Sequence, residues 1–78
     1  MDTERGSITR EVGSRIRYAR KSRGMSMEEL AQAIYKTRSA ISKYENGQIS
    51  VDIATLYDIA NALKISIYDL LHRNTPDI

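Results

Sequence analysis

Four residues suited to capping a helix, Ser26, Thr37, Asp52 and Ser66, follow one another at intervals of 11, 15 and 14 residues. A capping side chain accepts a hydrogen bond from a backbone N–H two or three positions on, so each of these residues marks a helix start. Starts this close together limit the helices between them to two or three turns. Ser26 is followed by Glu29, the reciprocal capping box, and Ser66 by Asp69 in the same relation. No stretch alternates apolar and polar residues long enough to read as a strand.

Apolar residues at three-to-four spacing fill the intervals. Val12, Ile16, Ala19 and the aliphatic part of Arg20 give a first helix over about residues 7–23, with Ser7 as its cap and Gly24 as its left-handed end. A second helix covers about 27–34 with Leu30, Ala31 and Ile34 inward. A third opens at Arg38 and stops at Asn46-Gly47. The fourth carries Ile53, Leu56, Ile59, Ala60 and Leu63 on one stripe, and a short fifth holds Ile67, Leu70 and Leu71. Tyr18, Tyr44 and Tyr57 follow the same spacing and read as core or core edge. The expectation is an all-α fold, a compact five-helix bundle over residues 7–72. Residues 1–6 and 73–78, the latter with the only proline, Pro76, read as flexible tails.

With 78 residues, the chain buries roughly 8,000 Å² on folding, enough for one modest core and too little for a second domain. It has no cysteine, so disulfides and thiolate zinc sites are excluded. No apolar run approaches membrane-spanning length and the first ten residues are polar, so the expected setting is the cytoplasm. Residues 1–24 carry seven Lys/Arg against three Asp/Glu, and residues 51–78 carry two against four. One end is basic and the other acidic, which suits either an anionic partner or a solvated helix face.

Residues 26–45 place two short helices around the tight turn Tyr35-Lys36, the layout of a helix-turn-helix. At 100° per residue from Arg38, Ser42 falls at about 40°, Ser39 at about 100° and Lys43 at about 140°; Ala40, Tyr44 and Ile41 fall at about 200°, 240° and 300°. Arg38, Ser39, Ser42 and Lys43 therefore share a short, polar, cationic face opposite the apolar one. Such a face fits a DNA major groove, where Arg or Lys pairs with guanine O6 and N7. It also fits any solvated surface helix.

The run from Gly24 to Ala31, with Thr37-Arg38-Ser39-Ala40-Ile41-Ser42-Lys43-Tyr44-Glu45-Asn46-Gly47, resembles the XRE family of Cro and phage-repressor type regulators. The likeness extends upstream through Val12–Arg20 and downstream through Leu56–Leu63 to Asp69-Leu70-Leu71. It implies a lambda repressor-like five-helix DNA-binding domain. By position it makes Arg38, Ser39 and Lys43 base-reading residues with Ser42 beside them, makes Ala31 the small residue where the third helix crosses, and pairs Arg20 with Glu45.

Backbone contacts to DNA are expected from Ser26, Met27, Tyr35, Lys36, Thr37, Asn46 and Gln48, and from Arg17 or Arg10, for which solvated surface is the other reading. Three positions depart from the family pattern: Met27 stands where glutamine is usual, Tyr35 where glycine is usual and Lys36 where an apolar residue is usual. Tyrosine is uncomfortable if that position needs a positive φ.

Ile65, Ile67, Tyr68 and Leu71 are the surface expected to pair two copies, although Ile65 and Leu70 also suit the core. His72 reads as complementing the end of the fifth helix, with metal binding as its alternative. The expected function is a sequence-specific double-stranded DNA-binding regulator, most simply a repressor, acting as a homodimer without cofactor, metal or small-molecule ligand. The competing class is a protein-interaction module such as an antitoxin or antirepressor. The sequence carries no catalytic constellation, so an enzyme is not expected.

Overall fold

A computed structural model describes residues 3–71 of the chain. The expectations for His72 and for the tail 73–78 lie outside the described residues. Five helices follow in order: α1 (Thr3–Ser22), α2 (Met27–Ala33), α3 (Arg38–Glu45), α4 (Ile53–Leu63) and α5 (Ile67–Leu71), with no strand among the described residues.

The start of α1 differs from expectation. The helix begins at Thr3 rather than at a Ser7 cap, so residues 3–6 continue it instead of forming a tail. Nothing in that stretch interrupts a helix already nucleated. Gly6 costs about 1 kcal/mol relative to alanine, and each added residue brings its own hydrogen bond.

The other starts are side-chain caps. Ser26 Oγ accepts from Glu29 N at 3.0 Å while Glu29 Oε1 accepts from Ser26 N at 2.8 Å, which completes the capping box. Thr37 Oγ1 accepts from Ala40 N at 3.1 Å. Asp52 accepts from Thr55 N at 3.2 Å and from Thr55 Oγ1 at 2.7 Å. Those hydrogen bonds, the side-chain one foremost, hold the Asp52 carboxyl below its ordinary pKa, and the Lys36 charge adds to them. Ser66 N donates to Asp69 Oδ2 at 3.1 Å at the head of α5.

The helix ends share a geometry too. Gly24, Tyr35, Gly47 and Lys64, which close α1 to α4, all have φ between 59° and 72°. In each case the next residue's N–H reaches back to a carbonyl of the last turn: Met25 to Arg20, Lys36 to Ala31, Gln48 to Lys43 and Ile65 to Ala60, at 2.8–3.1 Å. This is the Schellman closure, which satisfies carbonyls that the helix leaves open.

The core gathers one stripe from every helix. Ile16, Leu30, Ile41, Ile59, Leu63 and Leu70 are fully buried, with Ala31, Ile34, Tyr44, Leu56 and Ala60 around them. Tyr44 is core, but Tyr18 and Tyr57 are exposed, contrary to their reading as core edge. Tyr18 lies about 200° around α1 from Ile16, and Tyr57 about 100° around α4 from Leu56, so the buried stripe passes each of them by.

Candidate nucleic-acid interface

The α2–turn–α3 unit is held from beneath. Leu30 and Ala31 of α2 pack against Ile41 of the same core cluster, and Tyr44 anchors the last turn of α3. Tyr35 carries the reversal between the two helices at φ 60° with its side chain 94% exposed. Tyrosine therefore adopts here the positive φ that glycine would take without strain. Lys36 N donates to Ala31 O at 2.8 Å and Ile34 is buried just before it, and together these hold the tyrosine in the left-handed region.

The face of α3 opposite Ile41 and Tyr44 presents Arg38, Ser39 and Lys43 to solvent. Ser42 is half-buried at the edge of that face, where its Oγ accepts from Asn46 Nδ2 at 3.4 Å. Thr37, Lys36 and Ser26 are exposed around the two helix starts, Asn46 and Gln48 after the end of α3, and Arg17 on α1. Met27 differs: it is half-buried against the core, so its own N–H and not its side chain remains for an anion. Ile65 and Ile67 also pack partly on their own core, and only Tyr68 and Leu71 of that group are exposed.

The α3 helix is fixed to α1 by a buried ion pair. Arg20 Nε donates to Glu45 Oε2 at 2.6 Å and Nη2 to Oε1 at 3.1 Å, a two-pronged contact. Arg20 Nη1 donates to Met25 O at 2.8 Å, which ties the pair to the segment leading into α2. Both residues are 6% exposed. This pair orients α3, and is not itself available to a ligand.

Two positioning contacts escaped sequence reading. A Cβ on Gly13 would lie 2.2 Å from Tyr44 O and 2.9 Å from Glu45 O, so α1 and the end of α3 meet backbone to backbone where only glycine fits. A glycine amid helix-favouring residues was the available signal, since it costs about 1 kcal/mol without a packing reason. Arg23 Nη2 donates to Lys64 O at 2.9 Å, tying the end of α1 to the end of α4. Nothing local in the sequence marks that contact.

Two short capped helices, joined by a tight left-handed turn and braced so that the second shows a cationic face, define a helix-turn-helix domain. Residues 16–70 match the family model described as helix-turn-helix. Over 60 residues the chain is 37% identical to an uncharacterized transcriptional regulator in the ATPase CF(0) region of Rhodospirillum rubrum, a match covering 77% of this chain and 56% of that protein. The chain therefore spans just over half the length of that curated relative.

Among solved structures, the restriction-modification controller protein C.AhdI from Aeromonas hydrophila is similar with a TM-score of 0.80 and 31% identity, covering 83% of this chain and 94% of the controller. The P22 c2 repressor in complex with synthetic operator 9T is similar with a TM-score of 0.72 and 28% identity, covering 78% and 92%. The chain belongs to the helix-turn-helix family, in its XRE-type branch.

Proposed function

We propose that this chain is a sequence-specific double-stranded DNA-binding repressor that reads the major groove with α3 as a homodimer in the cytoplasm. One observation carries the reading: α3 is anchored by Ile41, Tyr44 and the Arg20–Glu45 pair, while Arg38, Ser39 and Lys43 stand free of the core on its outer side. A rigid helix with short hydroxyls between two cations meets the requirements of base-edge recognition. Ser26, Lys36, Thr37, Asn46, Gln48 and Arg17 supply the surrounding contacts to phosphate, with the Met27 N–H at the head of α2. The likeness to a repressor bound to its operator supports the same assignment. Among the described residues, no helix is long and apolar enough to cross a membrane.

One domain covers about 600–1,000 Å² on DNA, too little for high specificity, whereas two copies reach half-sites about 34–36 Å apart on a pseudo-palindromic operator. Tyr68 and Leu71 provide the exposed apolar contact for pairing, with Ile65 and Ile67 behind them. Sedimentation equilibrium at micromolar concentration is expected to give twice the chain mass, falling to one for Tyr68→Glu/Leu71→Glu. A wild type that stays monomeric contradicts the dimer.

Tyr35 provides a further test of the DNA contact. A left-handed L-residue costs about 1–2 kcal/mol, and glycine loses about 0.5–1 kcal/mol more backbone entropy on folding. Tyr35→Gly is therefore expected to stabilise the fold by about 0.5–1 kcal/mol in a thermal melt. If the retained strain serves a phenol–phosphate contact, the same variant binds duplex DNA more weakly. A stabilised variant with unchanged DNA affinity removes Tyr35 from the DNA contacts.

A further inference from the structure

We infer that Arg10 is a phosphate-binding residue, held beside the loop after α3 by the packing of its aliphatic stem on Gly47. The inference rests on the DNA-binding reading above and extends the interface to the N-terminal half of α1.

At 100° per residue from Ile16, Thr9, Arg20 and Gly13 fall at about 20°, 40° and 60° on α1, and Arg17, Arg10 and Lys21 at about 100°, 120° and 140°. The first set is the edge that touches α3 and its following loop. Arg20 pairs with Glu45, Gly13 meets the carbonyls of Tyr44 and Glu45, and Thr9 Oγ1 lies 3.3 Å from Ser50 Oγ. The second set is a basic stripe along the flank of that edge. A Cβ on Gly47, itself at φ 72°, would lie 2.7 Å from Arg10 Cγ and 3.0 Å from Arg10 Cα. Only a glycine admits Arg10 this closely.

Chemistry favours an anion at that place. The loop residues Asn46 to Val51 include no acid, and the acid next to Arg10 in sequence, Glu11, faces Arg15 at 3.7 Å. The Arg10 stem lies on Gly47, and its Nη1 would be 3.5 Å from a Cβ on Gly6, so the guanidinium folds back along α1. A stem already packed loses less rotamer freedom when its head group takes a phosphate. Asn46 and Gln48 flank the same glycine and add donors that carry no charge. This places the Arg10 stem and two amides around the segment that follows α3, with the guanidinium beside it on α1.

The test uses the full chain and a mixed-sequence 30-base-pair duplex, with affinity measured by anisotropy across a salt series. Arg10→Met keeps a stem on Gly47 and removes the charge; Arg10→Lys keeps both; Arg15→Met removes a charge from the far side of α1. Each phosphate contact contributes about 0.9 to the slope of log affinity against log salt, so between about 50 and about 200 mM it accounts for about 3- to 4-fold.

Arg10→Met is expected to melt like the wild type and to lose about one unit of slope, with Arg10→Lys and Arg15→Met retaining it. An unchanged slope in Arg10→Met, beside a steep wild type, overturns the Arg10 assignment alone. An equal loss in Arg15→Met overturns it too, by reducing the effect to net charge. A wild type with no salt-dependent binding overturns the DNA reading and this one with it.

Discussion

Arg20→Ala is expected to lower folding stability by about 3–5 kcal/mol, the range for removing one partner of a buried ion pair. The reason lies with the groups left behind. Glu45 is 6% exposed and receives both of its side-chain hydrogen bonds from Arg20, and Met25 O loses the donor that ties the α2 approach to α1. The whole stability of a domain this size is about 4–12 kcal/mol, and 1 kcal/mol moves its melting point by about 4–8 °C. A thermal melt followed by circular dichroism should show the transition falling by well over about 10 °C. Arg20→Met/Glu45→Leu, which removes both charges and keeps the volume, should recover most of that loss. An unchanged melt for Arg20→Ala contradicts a structural role for the pair.

Arg38→Ala/Lys43→Ala is expected to act in the opposite way, sparing the fold and abolishing discrimination between DNA sequences. Both side chains are exposed on α3 and take part in no packing of the core, so the melting point should stay near that of the wild type. A well-placed Arg or Lys on a base edge carries about 1–3 kcal/mol of discrimination, so losing both should reduce preference for the operator by about 30-fold or more. Binding to unrelated duplex should fall far less, because Ser26, Thr37, Lys36, Asn46, Gln48 and Arg17 remain. A variant that discriminates as well as the wild type would remove α3 from the reading of bases.

Sequence legibility tracked how local each determinant is. The caps Ser26, Thr37 and Asp52 were readable because donor and acceptor lie three residues apart in the chain. The ends at Gly24 and Gly47 were readable because glycine tolerates a positive φ, whereas Lys64 adopts the same conformation without any such mark. Its N–H and that of Ile65 close on Asn61 and Ala60, so the hydrogen bonds override a local preference of about 1–2 kcal/mol.

Contacts between distant residues behaved differently. The Arg20–Glu45 pairing spans 25 residues and came from family resemblance, not from spacing. The packing of Met27 inward, the exposure of Tyr57, and the approach of Gly13 to Tyr44 depend on how helices cross. A helical wheel fixes which residues share a face, but the neighbouring helix decides how wide the buried stripe is.

The central claim is that α3 reads DNA bases, and anisotropy titration of one pair of proteins against one pair of duplexes tests it most directly. Wild type and Arg38→Ala/Lys43→Ala would each be titrated, at about 50 and about 200 mM salt, with the duplex upstream of the chain's own gene and a scrambled duplex. The account predicts tight, salt-sensitive binding of the upstream duplex by the wild type only, with the scrambled duplex bound weakly by both proteins. Equal weak binding of both duplexes by the wild type, insensitive to the double substitution, would contradict it.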